Sequence, residues 1–500
     1  METLSNLALG LEVALHWQNI IYCFIGCFLG TLVGVLPGIG PVATVALLLP
    51  FTFNLGPAPA LIMLAGIYYG AQYGGSTTAI LINIPGESSS VVTTLDGHQM
   101  ARRGRAGPAL GISAIGSFIA GCIATLVIAY FAPPLADLAL SFGPTEYFSL
   151  MLFGIIASIV LARGSVLKAI AMTCLGILLG LVGTDVNSGT IRFALGQPEL
   201  ADGIGFVALA MAFFGIADVA TNLEKKDEAQ DVYSDRIGSV LPTFVDLRTC
   251  FWSIMRGTGL GSILGILPGG GALLASFAAY MLEKNVAGAP RYFGEGDIRG
   301  VAAPESANNA GAQTSFIPML TLGIPANPTM ALMIGAMMIQ GIQPGPQVMT
   351  ERPQLFWGLI ASMWVGNLML LVLNLPLIGL WVRLIAVPYR FLVPAIFVFC
   401  CIGVYTVDSK IFDVYALAFL SGVAYVLLKL DCEPAPLILG FILGSMMEEH
   451  MRRAMMINFG DLSIFVRRPL SAAFLVACAI LLILLALPAL RAKREVVMQE

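Results

Sequence analysis

From Val13 to Gly86 the chain carries no Asp, Glu, Lys or Arg. A helix of about 20 apolar residues crosses a bilayer, so this tract alone has room for several passes, and a water-facing surface cannot be made from it. Charge is also absent from Gly107 to Ala136, from Pro353 to Val382 and from Pro469 to Leu490. Further apolar spans are expected near 18–36, 42–54, 146–162, 166–183, 204–220, 252–267, 389–405, 411–429 and 434–447. Across all 500 residues, 58% are hydrophobic and 11% charged, against about 25% charged in a soluble domain. A soluble enzyme is excluded. The net charge of −4 offers none of the clustered Lys and Arg that phosphate recognition requires, so nucleic acid is not a partner.

Nine cysteines, mostly isolated in apolar runs, read as small core side chains, and His16, His98 and His450 are too scattered for a metal site. At the N-terminus, Leu4, Leu7, Ala8, Leu11 and Leu15 recur at helical spacing opposite Glu2, Asn6 and Glu12. This pattern suits a helix lying in the membrane interface. The most polar stretch, Asn222 to Arg248, reads as a solvated connection. The basic tail Arg491, Lys493 and Arg494 reads as cytoplasmic by the positive-inside rule. Arg452, Arg453, Arg467 and Arg468, just across the last apparent span, make the opposite claim, so the topology stays open.

The organisation is set by an internal repeat. Gly30-Thr-Leu-Val-Gly-Val-Leu-Pro-Gly-Ile-Gly40 aligns without a gap on Gly261-Ser-Ile-Leu-Gly-Ile-Leu-Pro-Gly-Gly-Gly271. Downstream of each copy comes a Gly-Ala-Gln triplet, Gly70 to Gln72 and Gly311 to Gln313, and then an Ile-Pro turn, Ile84-Pro85-Gly86 and Ile324-Pro325-Ala326. The chain is therefore read as an all-α polytopic membrane protein of roughly 10–14 membrane segments. Residues 1–220 and 257–470 form two repeated, preferably inverted, halves with broken helices or re-entrant hairpins. Residues 221–256 connect them, and 471–500 form a C-terminal membrane helix and basic tail.

Matched Gly/Pro interruptions in two halves point to the binding site of a secondary transporter. A helix broken inside the bilayer frees backbone groups that only protein, water or a ligand can satisfy. Freed amides at half-helix N-termini favour anions, and freed carbonyls coordinate small cations. Gly38 and Gly40, with Gly269 and Gly271, are the candidates at these breaks. Around the second landmark of the first half, Gln72, Ser76, Thr77, Asn83, Pro85, Gly86, Glu87 and Ser88 gather polarity inside apolar sequence. In the other half Glu305, Ser306, Asn308, Asn309, Thr314 and Asn327 do the same. Such groups are costly in lipid unless they face one another or an aqueous cavity, and a neutral-oxygen lining suits sodium plus a polyanion. The alternative is hydrogen bonding between helices alone. Glu87 fits either an ion-binding or proton-relaying acid or the tip of a solvated hairpin. Glu305, flanked by Pro304, Asn308 and Asn309, has the stronger context. Asp185, Asp218, Asp408 and Asp413, near span ends, read as solvated. An intramembrane enzyme would need a His-bearing Ser dyad, paired Asp residues or a metal cluster, and the sequence pairs none of these groups.

These residues carry a family resemblance. Gly34-Val-Leu-Pro-Gly-Ile-Gly-Pro41, Tyr69-Gly-Ala-Gln-Tyr-Gly-Gly-Ser-Thr-Thr78, Ile84-Pro-Gly-Glu-Ser88, Asp96-Gly-His98, Pro304-Glu-Ser-Ala-Asn-Asn-Ala-Gly311 and Leu322-Gly-Ile-Pro325 resemble the large membrane subunit of the tripartite tricarboxylate transporters. The likeness covers nearly the whole chain. It implies a bacterial inner-membrane symporter driven by an ion gradient, with sodium as coupling ion, a proton as the alternative and no cofactor. It also implies a small transmembrane subunit and a periplasmic substrate-binding protein as partners. The implied substrate is a tricarboxylate, another carboxylate or another small organic acid.

Overall fold

The computed structural model describes residues 2–36, 40–162, 165–185, 188–224, 239–267, 271–289, 291–385 and 392–486. Gly38 and Gly269, with their neighbouring prolines, lie outside the described residues, as do the charge run 225–238 and the basic tail. The principal helices are α1 (Glu2–Ala14), α2 (Trp17–Val35), α3 (Pro41–Leu48), α4 (Pro57–Ile82), α5 (Ala106–Leu140), α6 (Pro144–Leu161) and α7 (Val166–Gly180). A short hairpin of β1 (Gly183–Thr184) and β2 (Ile191–Arg192) follows. Residues 206–223 are helical around a π turn at Met211–Ile216. Next come α8 (Phe244–Leu264), α9 (Gly271–Val286), α10 (Arg299–Thr314), α11 (Phe316–Leu322), α12 (Pro328–Ile339), α13 (Pro353–Asn374), α14 (Ile378–Ile385), α15 (Leu392–Asp408), α16 (Ile411–Lys429), α17 (Pro434–Ile457) and α18 (Pro469–Ala486). The protein is an all-α polytopic chain. Among the described residues four helices, α2, α5, α13 and α16, are long and apolar enough to cross a membrane, and seven shorter apolar helices accompany them.

Proline opens many of these helices. It stands in the first turn of α3, α4, α6, α12, α13 and α17, where its missing N–H is no loss and its fixed φ already suits the helix. The expected span 42–54 is short: α3 and its 3-10 continuation Leu49–Thr52 run from Pro41 to Thr52, about 20 Å of helix, under the ~30 Å hydrocarbon core. The uncharged stretch 353–382 is also divided, between α13 and α14.

The chain forms two compact units, one of residues 1–136 and 218–403, the other of residues 137–217 and 404–500. In the first unit, glycine stripes draw two helix pairs together. Gly26, Gly30 and Gly34 of α2 lie on the backbone of Met63, Ile67 and Ala71 of α4. Gly257 and Gly261 of α8, with Gly265 at its C-cap, lie in the same way on Ala303, Ala307 and Gly311 of α10. A Cβ on either Gly30 or Gly261 would come within 2.8 Å of the facing Cα, of Ile67 and Ala307 respectively. Small residues at this spacing let helix backbones approach closely, which replaces the hydrophobic driving force that lipid does not supply.

The correspondence between these pairs continues downstream at one constant interval. α4 ends on Asn83 and α11 on Gly323, both in the left-handed region at φ 60° and 71°. After each Ile-Pro turn stands an extended N-cap residue, Glu87 (φ −149°, ψ 166°) or Asn327 (φ −156°, ψ 171°). The Gly-Ala-Gln triplets are one residue out of this register. Their glutamines accordingly meet different neighbours: Gln72 meets Ser89, and Gln313 meets Thr125 and Asn367.

α1 packs on α13, with Gly10 against the Trp357 backbone, Leu7 and Ala14 buried, and Leu4, Leu11 and Leu15 exposed. In the second unit, α17 packs on α6 and α7, and α18 on α6. Asp185, expected to be solvated, is buried there: it pairs with Arg452 at 3.0 Å and Arg192 at 3.8 Å, while Glu448 holds the same arginines at 2.7 and 2.8 Å. The network fastens the hairpin to α17.

Candidate functional site

Glu305 is fully buried on α10, in the first unit. Its carboxylate accepts from residues of the other sequence half: Ser76 of α4 donates to Oε2 at 2.5 Å, and Thr93 donates to Oε1. Asn308, one turn along α10, reaches Oε2 at 3.5 Å. The Asn309 amide is shared among Ser117 Oγ of α5 at 2.8 Å, Asn308 Oδ1 at 2.6 Å and the Glu305 carbonyl at 3.1 Å. Small side chains make this approach possible, since Ala120 and Ala124 of α5 pack directly on Ala310. Pro304 lies inside α10, and Ser306 and Asn308 are buried beside it.

A chain of polar groups runs from this carboxylate to Glu87. Ser76 Oγ also faces the Gln72 carbonyl at 3.1 Å, and Ser89 Oγ donates to Gln72 Oε1 at 2.8 Å and to Glu87 Oε1. Glu87 is 8% exposed, so its reading as a solvated hairpin tip is corrected. The 3-10 turn Ser88–Ser90 tucks it inward, with Ser90 Oγ donating to the Glu87 carbonyl at 2.8 Å. Ser276 of α9 donates to the Ser89 carbonyl at 2.7 Å.

Asn327 belongs to a second cluster. Its Nδ2 donates to Tyr68 OH at 3.0 Å and its Oδ1 caps Met330 N at 3.0 Å. A Cβ on Gly271 would lie 3.5 Å from Asn327 Nδ2, so the N-termini of α9 and α12 meet beside this amide. Two helix N-termini and an amide donor favour negative charge. Each half's segment beyond the Leu-Pro-Gly break thus packs on the other half's segment beyond the Ile-Pro turn: α3 on α12, and α9 on residues 88–93.

The structure brings together Gln72, Ser76, Glu87, Glu305, Asn308 and Asn309 in one cluster and Asn327 with Gly271 in another. Thr77 and Ser306 are buried beside them. Thr314 is turned back onto the Ala310 carbonyl at 3.0 Å, under Gly265. Asn83, Pro85, Gly86 and Ser88 shape the turn; Gly86 sits against the Gly34 carbonyl and Gly75. Gly40 caps α3 in open space.

Sequence reasoning passed over three anchoring groups. Thr93, of ordinary composition, proves to be a direct partner of Glu305. Glu283 of α9 is buried and held by Arg256 at 2.8 and 2.9 Å and by Ser253 at 2.7 Å. Asp96, named above only within the Asp96-Gly-His98 motif, is fully buried: Oδ1 accepts the backbone N–H of Gly294 (2.9 Å), Gly296 (2.7 Å) and Asp297 (2.8 Å), and Oδ2 accepts Tyr280 OH at 2.9 Å. The signal available was the glycine pair in Phe293-Gly-Glu-Gly-Asp297, whose positive φ values of 86° and 105° turn successive amides toward one anion. Among the described residues no three His, Cys, Asp or Glu side chains assemble into a metal-binding cluster.

Known proteins resemble the chain along most of its length. The model of the tripartite tricarboxylate transporter TctA family matches residues 20–439. An uncharacterized 52.8 kDa protein in the TAR-I ttuC' 3' region of Agrobacterium vitis is 57% identical over 500 residues, covering 100% of this chain and 99% of the relative. An uncharacterized protein in the TAR-II ttuC' 3' region of the same organism is 58% identical over 240 residues, 48% of this chain and 99% of the relative. No solved structure matches. With its apolar helices and a match over most of its length, the chain is a multi-pass membrane protein and belongs to the tripartite tricarboxylate transporter TctA family.

Proposed function

We propose that the protein is the large membrane subunit of a secondary uptake system, coupled to an ion gradient, with sodium as the ion. It carries a tricarboxylate or related carboxylate handed over by a periplasmic binding protein. A small membrane subunit completes the system in the bacterial inner membrane. The observation that carries this reading is the buried polar belt of Ser76, Gln72, Glu87, Glu305, Asn308 and Asn309, contributed by both sequence halves to one unit. A belt of neutral donors with two acids inside apolar helices is costly for architecture alone, and it is suited to holding a coupling cation beside the site of a polyanion.

The matching glycine stripes, left-handed helix ends and N-caps support two duplicated halves, for which alternating access favours an inverted orientation. Substrate carboxylates are held where the N-termini of α9 and α12 meet at Asn327 and Gly271, with Gly40 at the start of α3 supplying a further backbone amide. The ion is held on the carboxylate side of the belt. Delivery by the binding protein, cation-coupled closure, movement of a core against a scaffold and inward release complete the cycle.

The test is uptake of radiolabelled carboxylates into proteoliposomes containing the large and small subunits, with the binding protein added outside. Accumulation driven by an imposed sodium gradient, or by a proton gradient, is expected. Uptake indifferent to both gradients refutes secondary transport. Wild-type uptake and ion dependence in both Ser76→Ala and Asn309→Ala refute the site.

A further inference from the structure

Several acceptors in the belt share a single donor hydrogen, and among the described residues Asn309 Oδ1 has no partner. Ser76 has one hydroxyl hydrogen and two acceptors, Glu305 Oε2 at 2.5 Å and the Gln72 carbonyl at 3.1 Å. Ser89 likewise has one hydrogen for Gln72 Oε1 and Glu87 Oε1. On α10 itself, Asn309 Oδ1 and Ser306 Oγ are buried without a hydrogen-bond partner. A buried acceptor without a donor is costly, and a buried charge without a counter-charge costs more.

No cationic side chain relieves the deficit. Among the described residues no Lys, Arg or His forms an ion pair with Glu305. The charged groups on elements packed against α10 are engaged elsewhere: Arg256 and Glu283 with each other, Arg299 with Asp297, and Asp96 with the amides of Gly294, Gly296 and Asp297 and with Tyr280. Glu87 is turned to Ser89 and carries the same sign as Glu305. Tyr68 and Tyr73 of α4 are neutral, and α5 brings the neutral hydroxyls of Ser113, which hydrogen-bonds the Glu305 carboxylate, and Ser117.

We propose that Glu305 is the seat of the coupling cation, sodium or a proton, and that neutralising this carboxylate is what admits the substrate anion. This deepens the transport reading and rests on it. With Glu305 bare, a second anion entering unit 1 meets an uncompensated buried charge; with a cation there, the repulsion is removed. Each ion then raises the other's affinity by the same factor, which is the thermodynamic content of symport. The hydroxyl arrangement serves both cations. A proton on Oε2 is donated to Ser76 Oγ, which turns its own hydrogen to the Gln72 carbonyl; a sodium ion draws on the Glu305 oxygens and the unpartnered oxygens beside them.

The chain purified with its small subunit is melted while sodium chloride replaces choline chloride at constant ionic strength, and in a parallel series while the pH is lowered. The wild type should be stabilised along one series, which names the cation, and Glu305→Gln should have lost that response. Thr93→Val, of nearly the same shape, removes a donor from the bare carboxylate and so disfavours the ion-free form. It should reach half-saturation at a lower cation activity, by roughly tenfold if the lost hydrogen bond is of ordinary strength for a charged group. In proteoliposomes with equal ion concentrations on both sides, Glu305→Gln should retain counterflow of the carboxylate that the wild type transports, while losing gradient-driven accumulation.

A Glu305→Gln protein that keeps the wild-type cation response overturns the proposal. So does one that elutes as the wild-type complex yet loses counterflow together with accumulation, since Glu305 would then serve substrate or fold. Should Glu305→Gln fail to assemble, Thr93→Val decides, and an unchanged half-saturation overturns the assignment. Wild-type uptake that ignores every gradient sinks the transport reading itself, a different outcome from any of these.

Discussion

Replacing Asp96 by alanine removes the one acceptor that three loop amides share. The amides of Gly294, Gly296 and Asp297 all point at Oδ1, at 2.7–2.9 Å. Hydrogen bonds to a charged group contribute about 1.5–3 kcal/mol each, so three opening together represent about 4.5–9 kcal/mol at face value. Water reaches part of this connection once it loosens, and the sum is not additive, so about half survives as the local opening free energy, roughly 3–4 kcal/mol. At 1.4 kcal/mol per decade, amides of residues 292–298 should exchange hydrogen at least about 100-fold faster in Asp96→Ala than in the wild type.

Asp96→Asn separates charge from geometry. Its carbonyl oxygen can keep the place of Oδ1 under the three amides, and its Nδ2 can face Tyr280 OH, which is able to accept. Only the charge assistance is lost, so exchange should quicken by about tenfold, near 1–1.5 kcal/mol. Mass spectrometric hydrogen exchange on the peptide covering 292–298 reads both. If Asp96→Ala leaves that peptide as protected as in the wild type, the clamp contributes nothing, and the reasoning from the paired glycines fails with it.

Two further outcomes follow from close packing and from charge. Gly261→Ala would place a Cβ 2.8 Å from Ala307 Cα and 2.9 Å from its carbonyl carbon. Backbone cannot step aside, so α8 and α10 must part, at a cost of about 1–3 kcal/mol. Gly259→Ala, two residues earlier with nothing within 4 Å, should be neutral or stabilising by up to about 1 kcal/mol through helix propensity; melting of the two variants side by side reads the contrast. Asp297 lies in the connection before α10, outside the membrane-spanning helices. Burial pushes its carboxyl up, but hydrogen bonds from the Arg299 side chain and backbone and the Tyr292 amide, with the Arg299 charge, outweigh it and hold the group below its ordinary range. A depressed carboxylate contributes stability above its unfolded value, near 3.9, and that contribution is lost as pH falls through the folded value. Exchange in residues 292–298 should therefore quicken only in acid below the usual carboxylate range, and Arg299→Gln should move that onset toward higher pH.

The helices that face lipid were the legible ones. The span expected at 411–429 is α16, and proline-led starts such as Pro353 and Pro434 fall where the apolar runs begin, because lipid imposes the same apolar rule on every exposed position. α4 and α10 were not legible as helices. Gln72, Ser76 and Thr77 on α4, and Pro304, Glu305, Asn308 and Asn309 on α10, erase the hydropathy signal, since protein buries them and lipid does not. The candidate residues were nonetheless found, for the same reason: polar groups amid apolar sequence need partners. What could not be read was who the partners are. The meeting of Thr93 with Glu305, and of Asp96 with the glycines before α10, depends on how two distant segments pack.

Charge in this chain is sorted by what answers it. Asp96 is answered by backbone amides and Tyr280, Asp297 by Arg299, Glu283 by Arg256, and Asp185 and Glu448 by Arg192 and Arg452. In each case the donors are fixed to the frame, so the acid contributes to one arrangement and has no reason to change occupancy. Glu305 differs in kind. Its donors are mostly hydroxyls that can rotate, one of them with a second acceptor at hand, and among the described residues no Lys, Arg or His pairs with it. A frame tolerates an acid of that sort only if a mobile charge completes it for part of the time. The same distinction separates the residues expected to shape the transporter from the one expected to couple it.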